Sequence, residues 1–199
     1  MSEVKTNKIS PATGTALQIG DSGDTITIPS GATLTNSGTA TGFGGDNTPA
    51  FQAYLSANQE FPDGSWTKIQ CNTEDYDTDN AYDNSTNYRF TVPSGEGGKY
   101  YLYVHSAMQR SSTNTGVAFG FNIRVNSEND TNASFFNYNE IGYAYNYESS
   151  GIAGVRTLSA GDTVEFYMFA NVASGHTWYA RGDSTMRQTY VGGYKMIGL

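Results

Sequence analysis

Two adjoining stretches decide the fold of this chain: Tyr88-Arg89-Phe90-Thr91-Val92-Pro93 and Gly98-Lys99-Tyr100-Tyr101-Leu102-Tyr103-Val104. Aromatic and β-branched residues dominate both stretches, and these residue types favour strands. Pro93 has no amide hydrogen to donate and therefore ends the first strand. Gly98 permits the turn conformation from which the second strand starts. The sequence thus predicts two strands joined by a Gly-rich turn.

The composition of the whole chain agrees with an all-β protein. Of its 199 residues only 15% are charged and 14% are aromatic, whereas about 25% are charged in a typical globular protein. The Ala, Leu, Glu and Lys that favour helices are scarce. A series of short strands separated by turns indicates a two-sheet sandwich of the jelly-roll kind. The predicted strands are Phe51–Ala57, Trp66–Gln70, Tyr88–Val92, Lys99–Met108, Val117–Val125, Ser134–Ile141, Val155–Leu158, Thr163–Asn171 and Tyr190–Ile197.

The distribution of aromatic residues predicts two domains. Phe43 is the one aromatic residue before Phe51, and the Gly/Asn/Pro cluster that follows Phe43 has the composition of a turn or linker. We therefore expect an N-terminal attachment segment over residues 1–46 and a head domain over residues 47–199.

The N-terminal segment contains three short alternating stretches, Ala16–Ile19, Thr25–Ile28 and Ala32–Thr35, which predict β elements. One apolar residue at every second position covers a single thin face, which is too little for a domain of this size to fold alone. We expect the segment to find its missing core in other chains, for instance in a stalk of three chains. A flexible linker is the alternative.

Two further motifs extend the pattern of the head domain: Leu158-Ser159-Ala160-Gly161-Asp162-Thr163-Val164-Glu165-Phe166 and Tyr190-Val191-Gly192-Gly193-Tyr194-Lys195-Met196-Ile197. Together with the opening stretches they resemble the C1q-like domain of the C1q/TNF jelly-roll group, over residues 51–199. The resemblance implies a homotrimer around a threefold axis. A surplus of aromatic residues agrees with such an interface, notably Phe135, Phe136, Tyr138, Tyr143, Tyr145 and Tyr147.

The runs Ile9–Leu17 and Gly20–Leu34 resemble leader segments of tail-fibre and other virion proteins of marine bacteriophages. The start of the sequence lacks the apolar core of a secretory signal, and the single Cys71 cannot form an intrachain disulfide. The resemblance and these two features predict a virion protein that assembles in the host cytoplasm.

Charge and hydropathy exclude two classes of partner. The chain has 11 Lys and Arg against 19 Asp and Glu, for a formal charge of −8, so we expect no binding to nucleic acid. The sequence contains no apolar run long enough to cross a bilayer, so we expect no membrane insertion.

Catalytic and cofactor sites are not predicted. His105 and His176 fall in different segments, and no spacing brings a nucleophile or a carboxylate pair to either. Asp75, Asp77 and Asp79 imitate the first three ligands of an EF-hand loop, but Asn80 and Thr86 stand where Gly and a bidentate Glu are required. A looser Ca²⁺ site in this run is one hypothesis, and a solvated acidic loop is the preferred one.

Exposed aromatic residues are the candidate ligand or receptor contacts, because their rings stack on the apolar faces of sugars. The candidates for this role are Trp178, Tyr179 and Tyr82, with Trp66 and the Phe135–Tyr147 stretch as further rings of the same kind. Burial in the core or in the trimer interface is the alternative for most of these rings, because a strand buries every second residue. The neighbouring tripeptide Arg181-Gly182-Asp183 matches an integrin-binding motif, although a Gly-Asp turn between strands also explains it.

The sequence therefore predicts a non-enzymatic virion structural protein. In the first hypothesis it is a trimeric fibre or spike, attached to other virion proteins through residues 1–46, whose head binds a glycan or protein of the host surface. In the second it is a capsid decoration protein that stabilises the shell. A carbohydrate-active enzyme is a third hypothesis, which no identifiable carboxylate pair supports.

Overall fold

The structure, a computed structural model, describes residues 6–37, 47–110, 118–127, 135–136, 147–171 and 177–197. The chain divides into two compact units, Met1–Phe43 and Gly44–Leu199. All regular elements of the described ranges are β-strands, and no helix in these ranges has the length and apolar character needed to cross a membrane.

The described part of the N-terminal unit, residues 6–37, contains turns but no strand. Backbone hydrogen bonds close two turns, from the Asp24 amide to the Asp21 carbonyl and from the Ala32 amide to the Pro29 carbonyl, each at 3.0 Å. The single chain does not form the β elements predicted at Ala16–Ile19, Thr25–Ile28 and Ala32–Thr35, and their formation between chains stays a prediction. Strands require a pairing partner, and the segment has too few large side chains to bring its own parts together.

The second unit is a sandwich of two antiparallel sheets. Sheet A has seven strands: six in the order β2-β12-β7-β13-β1-β4, and β10, which pairs with the other edge of β7. Sheet B has six strands: five in the order β5-β6-β11-β8-β9, and β3, which pairs with β11 on the same edge as β6. The strands are β1 Ala50–Tyr54, β2 Gln59–Phe61, β3 Ser65–Lys68, β4 Thr73–Asp77, β5 Tyr82–Asp83, β6 Arg89–Thr91, β7 Gly98–Arg110, β8 Ala118–Val125, β9 Phe135–Phe136, β10 Tyr147–Leu158, β11 Thr163–Asn171, β12 Trp178–Ala180 and β13 Thr189–Lys195.

The chain crosses repeatedly between the sheets: β6 lies in sheet B, β7 in sheet A, β8 and β9 in sheet B, β10 in sheet A, β11 in sheet B and β13 in sheet A. Two sheets connected in this way, with neighbours distant in sequence and all pairings antiparallel, have the arrangement of a jelly roll. The predicted all-β jelly-roll sandwich is confirmed.

A stack of aromatic rings joins the two sheets. Phe51 of sheet A lies parallel to Phe90 of sheet B with ring centroids 4.6 Å apart, and parallel to Tyr82 at 5.3 Å. Phe166 and Tyr100 extend the cluster at 6.3 and 5.7 Å from Phe51 and Phe90 respectively. All five side chains are buried, so this stack forms the centre of the hydrophobic core.

Several strands differ from their predictions for identifiable reasons. The run Glu74–Asn80 was interpreted as a solvated acidic loop, but its first four residues belong to the edge strand β4. In this strand carboxylates reach solvent while the backbone pairs with β1. The prediction for β10 covered only Val155–Leu158, because Ser149, Ser150 and Gly151 have low strand propensity. Pairing with β7 along its whole length extends β10 to Tyr147. Val117 and most of Ser134–Ile141 lie outside the described residues.

Carboxylates hold two of the tight turns of the head. Asp83 accepts hydrogen bonds from the amides of Ser85, Thr86 and Asn87, at 2.9–3.1 Å. Asp162 accepts from the Asn126 side chain and the Ser159 amide, at 2.9 and 2.7 Å. These hydrogen bonds, led by that from Thr86 to Asp83 and that from Asn126 to Asp162, lower the pKa of each carboxyl below its usual 3.8.

The lowered pKa values predict that the protein loses stability in acid. A carboxyl whose pKa is lower in the folded state stabilises the fold above the pKa of the unfolded chain, and this contribution is lost as the pH falls through the folded value. We expect the urea midpoint at one fixed protein concentration to fall from pH 7 to pH 3. In Asp83→Asn the fall should be smaller, because one of the contributing carboxylates is gone. Equal falls in the variant and the parent would contradict the assignment to Asp83.

Candidate interaction face

The outer surface of sheet A carries a contiguous group of tyrosines, which we call the tyrosine face: Tyr76 of β4, Tyr101 and Tyr103 of β7, and Tyr190 and Tyr194 of β13. Successive side chains of a strand alternate between the faces of a sheet. Tyr100, Leu102 and Val104 therefore fill the core, while the tyrosines at 101 and 103 point outward. The register places Tyr194 opposite Tyr101, and Tyr190 opposite His105.

The rings of this face contact one another across the strands. The ring centroids of Tyr101 and Tyr194 are 5.5 Å apart, those of Tyr101 and Tyr103 are 6.1 Å apart, and those of Tyr103 and Tyr190 are 6.2 Å apart. His105 stacks on Tyr190 at 5.1 Å. The rings thus support one another and form a continuous surface rather than separate side chains in water.

Tyr103 lies across two neighbouring strands because Gly192 gives it room. Gly192 is directly opposite Tyr103 on β13, and a Cβ atom at position 192 would overlap the phenol oxygen and its ring carbon. The Tyr103 hydroxyl reaches β1, where it donates a hydrogen bond of 2.8 Å to Gln52 Oε1. Burial, together with a hydrogen bond to Tyr76, raises the pKa of Tyr103, so the phenol stays neutral and available for hydrogen bonding.

The centre of the tyrosine face is uncharged, and charged groups lie at its ends. Lys99 is the second residue of β7, at one end of the face. Near the other end, Arg187 pairs with Asp75 at 2.5 Å and its guanidinium lies 3.9 Å from the Tyr54 ring centroid. An aromatic, uncharged centre within a charged rim is the composition of a protein–protein interface. A face of this kind favours binding to another protein surface over permanent exposure to water.

Strand β10 forms the edge of sheet A beside this face. Its outward side chains are small: Ser149, Gly151 and Ala153, followed by Val155, which is 45% exposed. A Cβ atom at position 151 would overlap the Val104 carbonyl oxygen of β7, so this position requires glycine. Among the described strands only β7 pairs with β10, which leaves a 12-residue edge that another molecule can approach closely.

Two of the predicted contact aromatics belong instead to the core. Trp178 is 2% exposed, and Tyr82 is 5% exposed, stacked on Phe51 and hydrogen-bonded through its hydroxyl to the Cys71 carbonyl. Their prediction as exposed rings is therefore wrong, because β12 and β5 turn these side chains toward the opposite sheet. Tyr179, between two buried residues on β12, is partly exposed. Trp66 is also partly exposed, on sheet B.

The acidic run Asp75, Asp77 and Asp79 does not converge on one point. Asp75 bonds to Arg187 and Gln52, Asp77 accepts from the amides of Tyr82 and Asp79, and Asp79 accepts from the Thr78 hydroxyl. In the part of the chain that the structure describes, no group of three or more His, Cys, Asp or Glu side chains is placed to hold a metal ion.

The remaining residues singled out from the sequence have contacts that stabilise the fold. Asp183 of the Arg181-Gly182-Asp183 tripeptide accepts hydrogen bonds from the Thr185 amide, the Thr185 hydroxyl and the Met186 amide, so its carboxylate closes a turn. Cys71 is buried, and burial raises the pKa of its thiol, which opposes a nucleophilic role. His105 borders the tyrosine face, stacked on Tyr190, whereas His176 lies outside the described residues.

The tyrosines at 101, 103, 190 and 194 were not selected from the sequence as functional residues. A signal for them exists in the alternation itself. In Tyr100-Tyr101-Leu102-Tyr103-Val104, the even positions are core-like, and the odd positions should be polar on a solvated sheet face. Two tyrosines at the odd positions predict a surface that another molecule covers.

Comparison with known proteins gives similarity to solved structures. No family model and no curated protein matches the chain. The globular domain of zebrafish complement 1qA protein is 16% identical over 75% of this chain and 98% of its own, with a TM-score of 0.49. Eiger TNF from S. frugiperda is 10% identical over 74% and 91%, with a TM-score of 0.47, and murine APRIL is 14% identical over 74% and 98%, with a TM-score of 0.48. At these identities the similarities assign no ligand, partner or activity to this chain.

Two glycine substitutions test whether Gly192 makes room for Tyr103. Gly192→Ala should lower the free energy of unfolding by about 1–3 kcal/mol, because Tyr103 must leave Gln52 to make room. Gly154→Ala, the same change in β10, meets only the tip of Arg156 at 3.4 Å and should change it by no more than about 0.5 kcal/mol. Urea unfolding at one protein concentration measures both. Similar losses in the two variants would refute the role of Gly192.

Proposed function

We propose that this chain is a non-enzymatic virion structural protein that works as a homotrimer. Residues 1–46 attach it to other proteins of the particle, and the head contacts the host surface. The single observation that carries the assembly is the tyrosine face, a large aromatic surface on the outside of a complete sandwich.

The proposed threefold assembly pairs two different surfaces of neighbouring copies. If two tyrosine faces met each other, the contact would be self-complementary and the product would be a dimer. The small side chains of β10 instead fit against the tyrosine face of the next copy, with Val155 against the rings. A head-to-tail contact closes into a ring when the rotation between neighbouring copies closes, and we propose a ring of three copies.

The N-terminal unit supports an attachment role. Its apolar side chains remain exposed in the single chain, including Leu17 at 44%, Ile19 and Ile26 at 61% each, and Ile28 at 51%. Alternating apolar positions on a backbone without strand pairing suit the addition of strands from a partner. The resemblance of this segment to the leaders of virion proteins makes a particle protein the partner that we propose.

The same trimer would serve a capsid decoration protein, which is the second candidate. The exposed N-terminal side chains favour docking on a particle in both cases, so the location of the protein decides between them. Density for the trimer at the tail or baseplate in a reconstruction of the particle supports host attachment. Density on the capsid surface supports decoration, and absence from the particle would refute both.

Assembly is tested by changing each side of the proposed contact. The purified chain should have a mass three times its 21.5 kDa in sedimentation experiments. Tyr101→Asp and Val155→Arg should each weaken association by about 30-fold or more, since each buries a charge at the centre of the contact. Tyr88→Asp, in the turn before β6, is the matched control and should remain trimeric. Folding of each variant is checked by near-ultraviolet circular dichroism.

The result that overturns this assembly is a parent chain that sediments as a monomer or dimer. The assembly is equally refuted if both interface variants stay folded and trimeric. Because Tyr101 and Val155 lie on different strands, a folding defect in one variant leaves the other as an independent test.

Attachment is tested on the N-terminal unit of the full chain. Ile26→Asp combined with Ile28→Asp should reduce incorporation into particles by about tenfold or more, because each carboxylate would have to be buried in the contact. Thr25→Asp combined with Thr27→Asp places the same charges on the alternate positions and should incorporate as the parent does. Quantitative immunoblotting of purified particles measures all three. Equal incorporation would refute attachment through this stretch.

A further inference from the structure

The outer surface of sheet B differs in chemistry from the tyrosine face. The register aligns Phe169 with Trp66, Tyr167 with both Lys68 and Asn122, and Glu165 with Arg124. The partly exposed aromatic rings of Trp66, Tyr167 and Phe169 thus alternate with charged and amide groups. We call these seven residues the sheet-B face.

One of the two cations on this face is already neutralised. The Lys68 ammonium forms an ion pair with Glu165 Oε1. Glu165 Oε2 accepts hydrogen bonds from the Tyr167 and Ser127 hydroxyls at 3.1 and 3.4 Å. Burial acts against ionisation of Glu165, but these partners lower its pKa overall, so the carboxylate is charged. Both of its oxygens therefore have partners other than Arg124.

Arg124 supplies the remaining positive charge. Its guanidinium lies 3.8 Å from the ring centroid of Tyr167 and 5.9 Å from that of Trp66. In the described ranges no carboxylate forms an ion pair with it, and its buried Nε has no hydrogen-bond partner. The two rings hold the guanidinium in place by cation–π contacts, and a side-chain hydrogen bond joins Arg124 to Tyr167. A guanidinium has five N–H donors, so this bond leaves others for a ligand.

Asn122 adds an acceptor that also lacks a partner. Its side chain is 3% exposed and lies in register with Tyr167, and its Oδ1 atom is buried without a hydrogen bond. A buried amide oxygen normally has a partner, because its desolvation is unfavourable when it has none. A hydroxyl group of a ligand would satisfy this atom.

We propose that the sheet-B face binds a carboxylated saccharide. This proposal rests on the proposed host-surface role of the head, and it names the class of ligand that the head binds. The apolar face of a sugar ring stacks on Trp66, its carboxylate accepts hydrogen bonds from Arg124, and one of its hydroxyls donates to Asn122 Oδ1. The alternation of rings with a single unpaired cation suits this ligand. A polyanion is disfavoured, because the chain carries a net charge of −8.

The test measures binding of the purified full chain to an array of oligosaccharides that contain hexuronate or sialate. Each sugar is paired with its methyl ester, which has the same rings without the charge. We expect at least one acidic sugar to bind about tenfold or more tightly than its ester, as a charge-assisted hydrogen bond predicts. Titration calorimetry on that pair then gives the dissociation constants.

Variants identify the site. Arg124→Gln should weaken binding of the acidic sugar about tenfold or more and leave the weak binding of the ester unchanged. Arg156→Gln removes an arginine of the same charge from sheet A and should bind as the parent does. Trp66→Leu should weaken binding of the acid and the ester alike, since it removes the stacking surface that both share.

The proposal is overturned if no acidic sugar on the array binds, if acid and ester bind equally, or if Arg124→Gln and Arg156→Gln behave alike. Its failure is distinct from failure of the proposed function. A trimer found on the particle that binds no acidic sugar refutes this site alone. A chain that is absent from particles yet binds the acid through Arg124 refutes the virion role and leaves the site standing.

Discussion

The stack of Phe51 on Phe90 and Tyr82 is the contact on which the rest of the structure depends. These rings belong to opposite sheets and meet at 4.6 and 5.3 Å, so they fix how the sheets lie against each other. Once Phe51 points inward, alternation forces Gln52 outward, and the register of β1 with β13 and of β13 with β7 determines the remaining outward positions. The tyrosine face is therefore a consequence of core packing.

This dependence explains which predictions succeed. The sandwich was predictable from the sequence because its inward positions are filled by aromatic and β-branched residues at every second site, as at Phe90, Val92, Val164 and Phe166. Strands that are stabilised by pairing with their neighbours were harder to predict from the sequence. Strand β4 consists of acidic and polar residues with one tyrosine, and the first half of β10 contains serines and a glycine. Their neighbours β1 and β7 supply the hydrogen bonds that propensity does not reveal.

The candidate sites were less predictable, for a related reason. An aromatic residue has the same composition signal whether it faces the core or the solvent, and only the register of its strand separates the two. Trp178 and Tyr82 were selected as exposed rings and are core residues, whereas Tyr101 and Tyr103 alternate with core positions and face outward. Contacts such as that of Arg124 with Tyr167 join β8 to β11 across a sheet. The spacing of residues along the chain does not encode such a contact.

The two outer faces of the sandwich have chemistries suited to different partners. On sheet A, uncharged rings support one another and need only a complementary protein surface to exclude water. On sheet B, the charges are held by specific partners, and one guanidinium and one amide oxygen keep unused hydrogen-bonding capacity. If copies of the chain cover the first face, the second remains on the outside of the assembly. In the proposed trimer, three weak sites facing outward would then bind together, with an avidity that no single site provides.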